Sequence, residues 1–349
     1  MRLEPRKEAS NAMIWLTPVV AVALTIIVGM ALFAALGKDP VETIRLIFVQ
    51  PFLDPYSRSE LLVKGTPLVL IAIGLSLGFR AGVWNIGAEG QFIIGALAGG
   101  AMGLAFYDVE GIWLLPLMAV AGAAGGFAWA MIPALLKIRF NANEILVSLM
   151  LVYVAELWLS VLVAGPLRDP DGFNFPESRL FHDSAILPML IEGTRAHIGV
   201  LVALGAVVLA YVLLERHVFG FQIKLFGQAP RAAKFAGFRE PRLIAMCLGV
   251  SGALAGLAGM FEAAGPVGQL VPALPVGYGF TAIIVAFLGR LHPIGILFAG
   301  GVMALTYIGG EAAQIGMNLP AAAINVFQGM LLFFLLAMDI LVNYRVRWR

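Results

Sequence analysis

Residues 79–99 read FRAGVWNIGAEGQFIIGALAG. The stretch lies in a strongly apolar chain, yet it carries Asn85, Glu89 and Gln91 among glycines at 82, 87, 90, 95 and 99. A carboxylate at the centre of a membrane-spanning helix is penalised by roughly 2.5–3.5 kcal/mol on insertion scales. A segment bearing that penalty packs on other helices or lines a cavity; it does not face lipid. The glycines let backbones approach closely and tolerate a local break in the helix. Two readings stay open on these residues. In one, Asn85 caps a helix and Glu89 stabilises its positive end. In the other, the stretch belongs to a translocation path.

The surrounding composition sets the class. Of 349 residues, 60% are hydrophobic and 13% charged, with a mean hydropathy of +0.92. Soluble domains carry about 25% charged residues, so an all-α polytopic membrane protein is expected. No long polar block marks off a soluble domain, and a single transmembrane domain over 1–349 is expected. The N-terminus MRLEPRKEASNAM has the basic start of a signal peptide. The apolar run 13–36 that follows is long enough to span and shows no convincing cleavage site, so a retained helix is expected. The single Cys247 excludes an intrachain disulfide. A net charge of +2 is too small to imply a nucleic-acid partner.

Charge-poor apolar windows fall near 13–36, 61–79, 84–106, 112–136, 144–164, 197–214, 243–262, 275–289, 293–310 and 320–341. These predict ten helices, of which 275–289 is the weakest and reads as a half-helix or re-entrant piece. Alternating the spans from a cytoplasmic N-terminus places sixteen of the 23 Lys and Arg residues inside and seven outside. Both termini are therefore expected in the cytoplasm. The segments 37–60 and 165–196 become extracytoplasmic loops, and 215–242 a basic cytoplasmic one. Small-xxx-small pairs at Gly95/Gly99, Gly122/Gly126 and Gly252/Gly256 permit tight helix crossings. The charge pattern also allows two five-helix halves of opposite orientation, an arrangement frequent in transporters.

Enzymatic signatures are missing. There is no GxxxxGK[ST], no HExxH and no GxSxG, and no catalytic or metal-ligating residue is expected. Intramembrane acids are limited to Glu89, Glu144 and Glu156, with Glu262, Glu311 and Asp339 near helix ends. They lack convincing buried bases, which an ion-coupled carrier would need. The driving force is therefore expected from outside the chain. The cytoplasmic stretch 220–242, GFQIKLFGQAPRAAKFAGFREPR, is the second informative element. Pro230 suits a first helical turn and Gly237 a C-terminal stop. The helix between them places Arg231 and Lys234 on one side and Ala232, Ala233 and Ala236 near another. Such a helix docks in a groove of a cytoplasmic protein or rests on anionic lipid.

The motifs GVWNIGAEGQFIIGA (82–96), NEILVSLMLVYVAE (143–156), GPLRDPDGFNFPES (165–178), the loop at 229–238 and GYGFTAIIVAFLGRLHP (277–293) resemble membrane permeases of bacterial ABC importers. The closest group is the simple-sugar and nucleoside branch, related to ribose and branched-chain amino-acid permeases. The resemblance implies a type II importer-like bundle in the bacterial inner membrane. It implies an ABC ATPase partner that uses ATP and Mg, a second permease subunit and an extracytoplasmic substrate-binding lipoprotein, with no cofactor bound by this chain. It makes Gly227, Arg231, Ala232, Ala233, Lys234 and Gly237 part of the coupling element against the ATPase. Val152 departs from the family pattern, where an Asn is common, and Pro176-Glu177-Ser178 replaces Pro-Gln-Ser. The expected mechanism is alternating access, with Asn85, Glu89, Gln91, Asn143 and Glu144 as pathway residues for a neutral hydrophilic solute. The competing readings are a stand-alone ion-coupled transporter and an intramembrane enzyme.

Overall fold

The computed structural model describes the backbone of residues 2–5 and 11–347 and the side chains of residues 16–338; Asp339 and the basic side chains of both termini lie outside the latter. The helices run in order α1 (Asn11–Ala35), α2 (Pro40–Phe48), α3 (Gln50–Leu53), α4 (Pro55–Arg80), α5 (Ala88–Ala105), α6 (Leu114–Phe140) and α7 (Glu144–Ala164). They continue as α8 (Gly199–Tyr211), α9 (Val218–Gln228), α10 (Pro230–Phe235), α11 (Glu240–Glu262), α12 (Tyr278–Leu288), α13 (Pro293–Met317) and α14 (Ala321–Asn343). Eight among the described residues are long and apolar enough to cross a membrane. The other two expected spans are α5, diluted by Glu89 and Gln91, and α12. At 11 residues, α12 is about 16 Å long, half of what a bilayer core needs. It is a half-helix. Together these ten elements match the ten apolar windows.

The residues form two compact units, 1–61 with 301–349, and 62–300. In the first, α1 packs along α14 around Phe33, Ile47, Ile324 and Phe327, with the rings of Phe33 and Phe327 stacked at 5.8 Å. The segment 37–60, expected as a loop, is helical over most of its length, through α2, α3 and the start of α4; Asp39 caps α2, its Oδ1 accepting from the Val41 and Glu42 amides at 2.9 and 3.1 Å, and Pro40 occupies the first helical position. Two four-residue strands, β1 (Arg2–Pro5) and β2 (Tyr344–Arg347), pair antiparallel. This ribbon brings the two ends of the described chain together.

In the second unit the three small-residue pairs meet at one junction of α5, α6 and α11. A Cβ on Gly95 would land on the backbone of Gly256, and one on Gly126 would lie 2.7 Å from the Gly256 Cα. Backbone touches backbone there, a spacing only glycine allows. The outer loop folds onto the end of α11, which continues as a π-helical segment Ala263–Val267 and stops at Gly268 with φ +76°. The amides of Ser178, Phe181 and Leu187 donate to the carbonyls of Leu270, Gly268 and Ala264 at 3.0, 2.8 and 2.8 Å. At the base of this loop His197 is buried between Gly199, Gly265 and Phe261. Burial pushes its pKa down to about 4, so it is a neutral packing residue.

Candidate functional site

The helix expected over 84–106 begins later, at Ala88. Gly82 takes φ +71°, and residues 83–87 run outside any helix. Their amides leave the helical ladder because side chains supply acceptors instead. Ile86 donates to the Ser148 hydroxyl at 3.3 Å and Gly87 to the Asn85 Oδ1 at 3.2 Å. Asn85 is therefore a turn residue two positions ahead of the cap, which is Gly87. Its carboxamide pairs reciprocally with that of Gln91, at 2.8 and 3.0 Å, and also donates to Ser251 on α11 at 2.9 Å. Both amides are 1% exposed. A buried polar pair satisfied in this way fixes the extended segment against α5 and α11.

Glu89 also stands in the first turn of α5, but its carboxylate reaches a different helix. Oε1 accepts the Gly277 amide at 2.8 Å and Oε2 the Gly279 amide at 2.5 Å. These are the orphan donors at the start of α12, where the helix dipole favours negative charge. A side chain at Gly279 would strike the Glu89 backbone, so glycine is what lets the carboxylate sit there. Two helix N-termini thus converge on one carboxylate. In chain order α5 is third among the first five membrane helices and α12 third among the second five. Each follows a non-helical approach, 81–87 and 268–277. Interrupted helices at corresponding positions of two halves are how transporters build a central site.

Asn143 and Glu144 lie at the turn between α6 and α7. Asn143 is the N-cap of α7, accepting the Ile145 amide at 3.0 Å. Glu144 pairs with Lys137 at 2.6 Å and accepts the Trp84 amide at 3.5 Å. The expectation that the intramembrane acids lack bases is corrected for Glu144 alone, whose partner Lys137 stands seven residues upstream in the last turn of α6. Lys64 on α4 stands 5.5 Å over the ring of Tyr278, whose hydroxyl donates to Glu262 at 3.4 Å.

Between α9 and α11, the short helix α10 stops as expected. Pro230 is its first residue, Gly237 has φ +82°, and Phe238 donates back to the Ala233 carbonyl at 3.1 Å. Arg231 and Ala232 are exposed; Lys234 is exposed and paired with Glu240 at 2.6 Å. Ala233 differs from the expectation: it is fully buried and anchors the helix from beneath, so it is no surface contact. Gly227 abuts the backbone of Arg80, tying α9 to the end of α4. Beside them opens a cleft of about 760 Å3 lined by Arg80, Glu215, Arg216, Lys224 and Arg290. Arg80 is held by Glu215 at 2.7 Å and by the Leu291 carbonyl at 3.0 Å.

The sequence model of the family described as "Branched-chain amino acid transport system / permease component" matches residues 57–336. The chain belongs to this permease family. The permease is 35% identical to the glucose ABC transporter permease protein of Haloferax volcanii, over 99% of the chain and 93% of that relative. It is 28% identical to the guanosine ABC transporter permease protein of Bacillus subtilis, over 91% and 92%. It is 26% identical to a probable riboflavin import permease protein of Treponema pallidum, over 91% and 84%. No solved structure matches it.

The permease therefore holds the start of α5 by two buried hydrogen-bonded groups, Asn85 and Gln91 with Ser251 and Glu89 with Gly277 and Gly279, while Asn143 and Glu144 stand beside the segment leading into it. Sequence reasoning missed Phe235, which is 97% exposed on the basic helix α10. The same loop holds Phe226, which is buried, and nothing in the sequence sets Phe235 apart from it.

Proposed function

We propose that this permease forms half of the translocation path of an ATP-driven importer in a bacterial inner membrane. It carries a small neutral hydrophilic solute, a sugar or nucleoside, by alternating access. The observation that carries this reading is the convergence of α5 and α12 on Glu89. A carboxylate bound only by backbone amides can exchange those donors for hydroxyls of a passing solute, which suits weak, transient binding. Asn85 and Gln91 hold the extended approach in register beneath it. The relatives' printed cargoes, glucose, guanosine and riboflavin, are hydroxyl-bearing and support the solute class.

The motion is supplied by a partner ATPase that grips α10 through Arg231, Ala232 and Phe235, with Ala233 and Gly237 holding the helix in shape. The basic cleft beside it offers cations to acidic groups of that partner. A second permease chain completes the path, and an extracytoplasmic binding lipoprotein delivers cargo. The test is uptake of labelled nucleoside or sugar by vesicles holding the permease with its ATPase, second permease and binding protein. Uptake is expected only with internal ATP. Uptake by the permease alone under an ion gradient would overturn the reading in favour of a secondary transporter.

A further inference from the structure

Glu156 is the intramembrane acid that the arrangement around Glu89 leaves unused. It is residue 13 of the 21 in α7, about 18 Å along the helix and so near the middle of a bilayer core about 30 Å thick. The inner face of α7 is made by Glu144, Ser148, Val152, Ala155, Leu159 and Val163, against which residues 84–90 pack. Glu156 lies at the edge of that face and is half-buried. Among the described residues its carboxylate has no hydrogen bond or ion pair. Tyr153 and Ser160 complete an i, i+3, i+7 stripe with it. Tyr153 is 55% exposed, and Ser160 is exposed, its hydroxyl turned back to the Glu156 carbonyl at 3.0 Å. The rest of the exposed surface of α7, including Met150, Leu157 and Val161, is apolar.

Lipid is a poor neighbour for this stripe, because a mid-depth carboxylate there carries the full insertion penalty. An interface with another protein chain would bury the carboxylate and would need a cation or several donors opposite it. A water-filled passage satisfies all three groups without a dedicated partner. We infer that the Tyr153–Glu156–Ser160 stripe of α7 is a wall of the translocation path, where acceptor oxygens meet the hydroxyl and N–H groups of a neutral polar cargo. This rests on the importer reading above and adds a second set of contacts to it. With no cation in the stripe, anionic solutes are repelled and neutral ones admitted.

The test uses the assembled, ATP-driven transporter in vesicles. The permease's sole native cysteine, Cys247, is fully buried, so cysteines introduced by Ser160→Cys and Tyr153→Cys report on their own surroundings. Both are expected to react with a charged, membrane-impermeant methanethiosulfonate, and to react more slowly while nucleoside or sugar is being delivered by the binding protein. Reaction only with a lipid-soluble maleimide would place the stripe against lipid and overturn the inference. Reaction in the isolated chain but not in the assembly would place it against another subunit, with the same result. Glu156→Gln is expected to raise the KM for import by about tenfold, the scale of one hydrogen bond to a charged group. An unchanged KM would also count against it. If the wild-type assembly shows no ATP-dependent import, the importer reading fails first; if it imports while the labelling fails, only the stripe is misassigned.

Discussion

Glu89→Gln keeps the size of the side chain and removes its charge, which makes it the sharpest probe of the meeting point of α5 and α12. The carboxylate accepts two amides, from Gly277 at 2.8 Å and Gly279 at 2.5 Å. A carboxamide has one acceptor oxygen and must turn its NH2 toward the other donor. Hydrogen bonds to charged groups contribute about 1.5–3 kcal/mol each, and a charge at a partly buried helix end up to about 2 kcal/mol. One bond is retained in weaker form, so a net loss of about 2–3 kcal/mol is expected in holding the first turn of α12. At 1.4 kcal/mol per decade this is a rise of about 30- to 150-fold in local opening. Hydrogen–deuterium exchange of a peptide covering 275–285 reads it directly, with a peptide from α1 as the unaffected control. An increase below threefold at Gly277–Gly279 would refute the claim that the carboxylate holds this helix end.

Three further outcomes are expected. Gly126→Val places a branched side chain against the Gly252 and Gly256 backbones; it should abolish folded, monodisperse protein in detergent size-exclusion chromatography, whereas Gly205→Ala, with open space around it, should not. Phe235→Ala and Arg231→Glu should leave the permease folded and in the membrane but lower import at least tenfold, a loss of about 1.4 kcal/mol in coupling, read as uptake per ATP hydrolysed. His197 is neutral when folded, with its pKa pushed to about 4 against about 6.5 unfolded. The unfolded chain therefore binds a proton first as pH falls, and thermal stability should decline from about pH 6.5 toward pH 4; a smaller decline is expected in His197→Gln, and an equal decline in both would remove this role.

Much of the scaffold was legible because a bilayer demands long apolar runs, and a hydropathy window detects nothing else. The ten helices, the weakness of 275–289 and the stop at Gly237 all came from that constraint and from turn chemistry. The glycine pairs predicted close crossings, but not that all three would share one junction, since spacing says nothing about which helix is the partner. The non-helical start at 83–87 was invisible for a related reason. Its residues are apolar enough to extend a window, and two of the acceptors that draw its amides out of the ladder, Glu144 and Ser148, lie 60 and 62 residues along the chain. Glu89 was recognisable as costly and therefore meaningful, yet its partners lie 188 and 190 residues away. Ala233 was misplaced because a six-residue helix is too short for its pattern to show which side faces inward.

The glycine junction restricts how such a protein can change shape. Where main chains of α5, α6 and α11 rest directly on one another, there is no layer of rotatable side chains to absorb sliding. These three helices should behave as a stator, displaced together or not at all. Any rearrangement within this unit then falls to the looser margins, such as the π-helical run at Val212–Arg216 that leads into α9. A spectroscopic ruler between α5 and α11 would stay constant through the cycle, while one from α11 to α9 would lengthen and shorten.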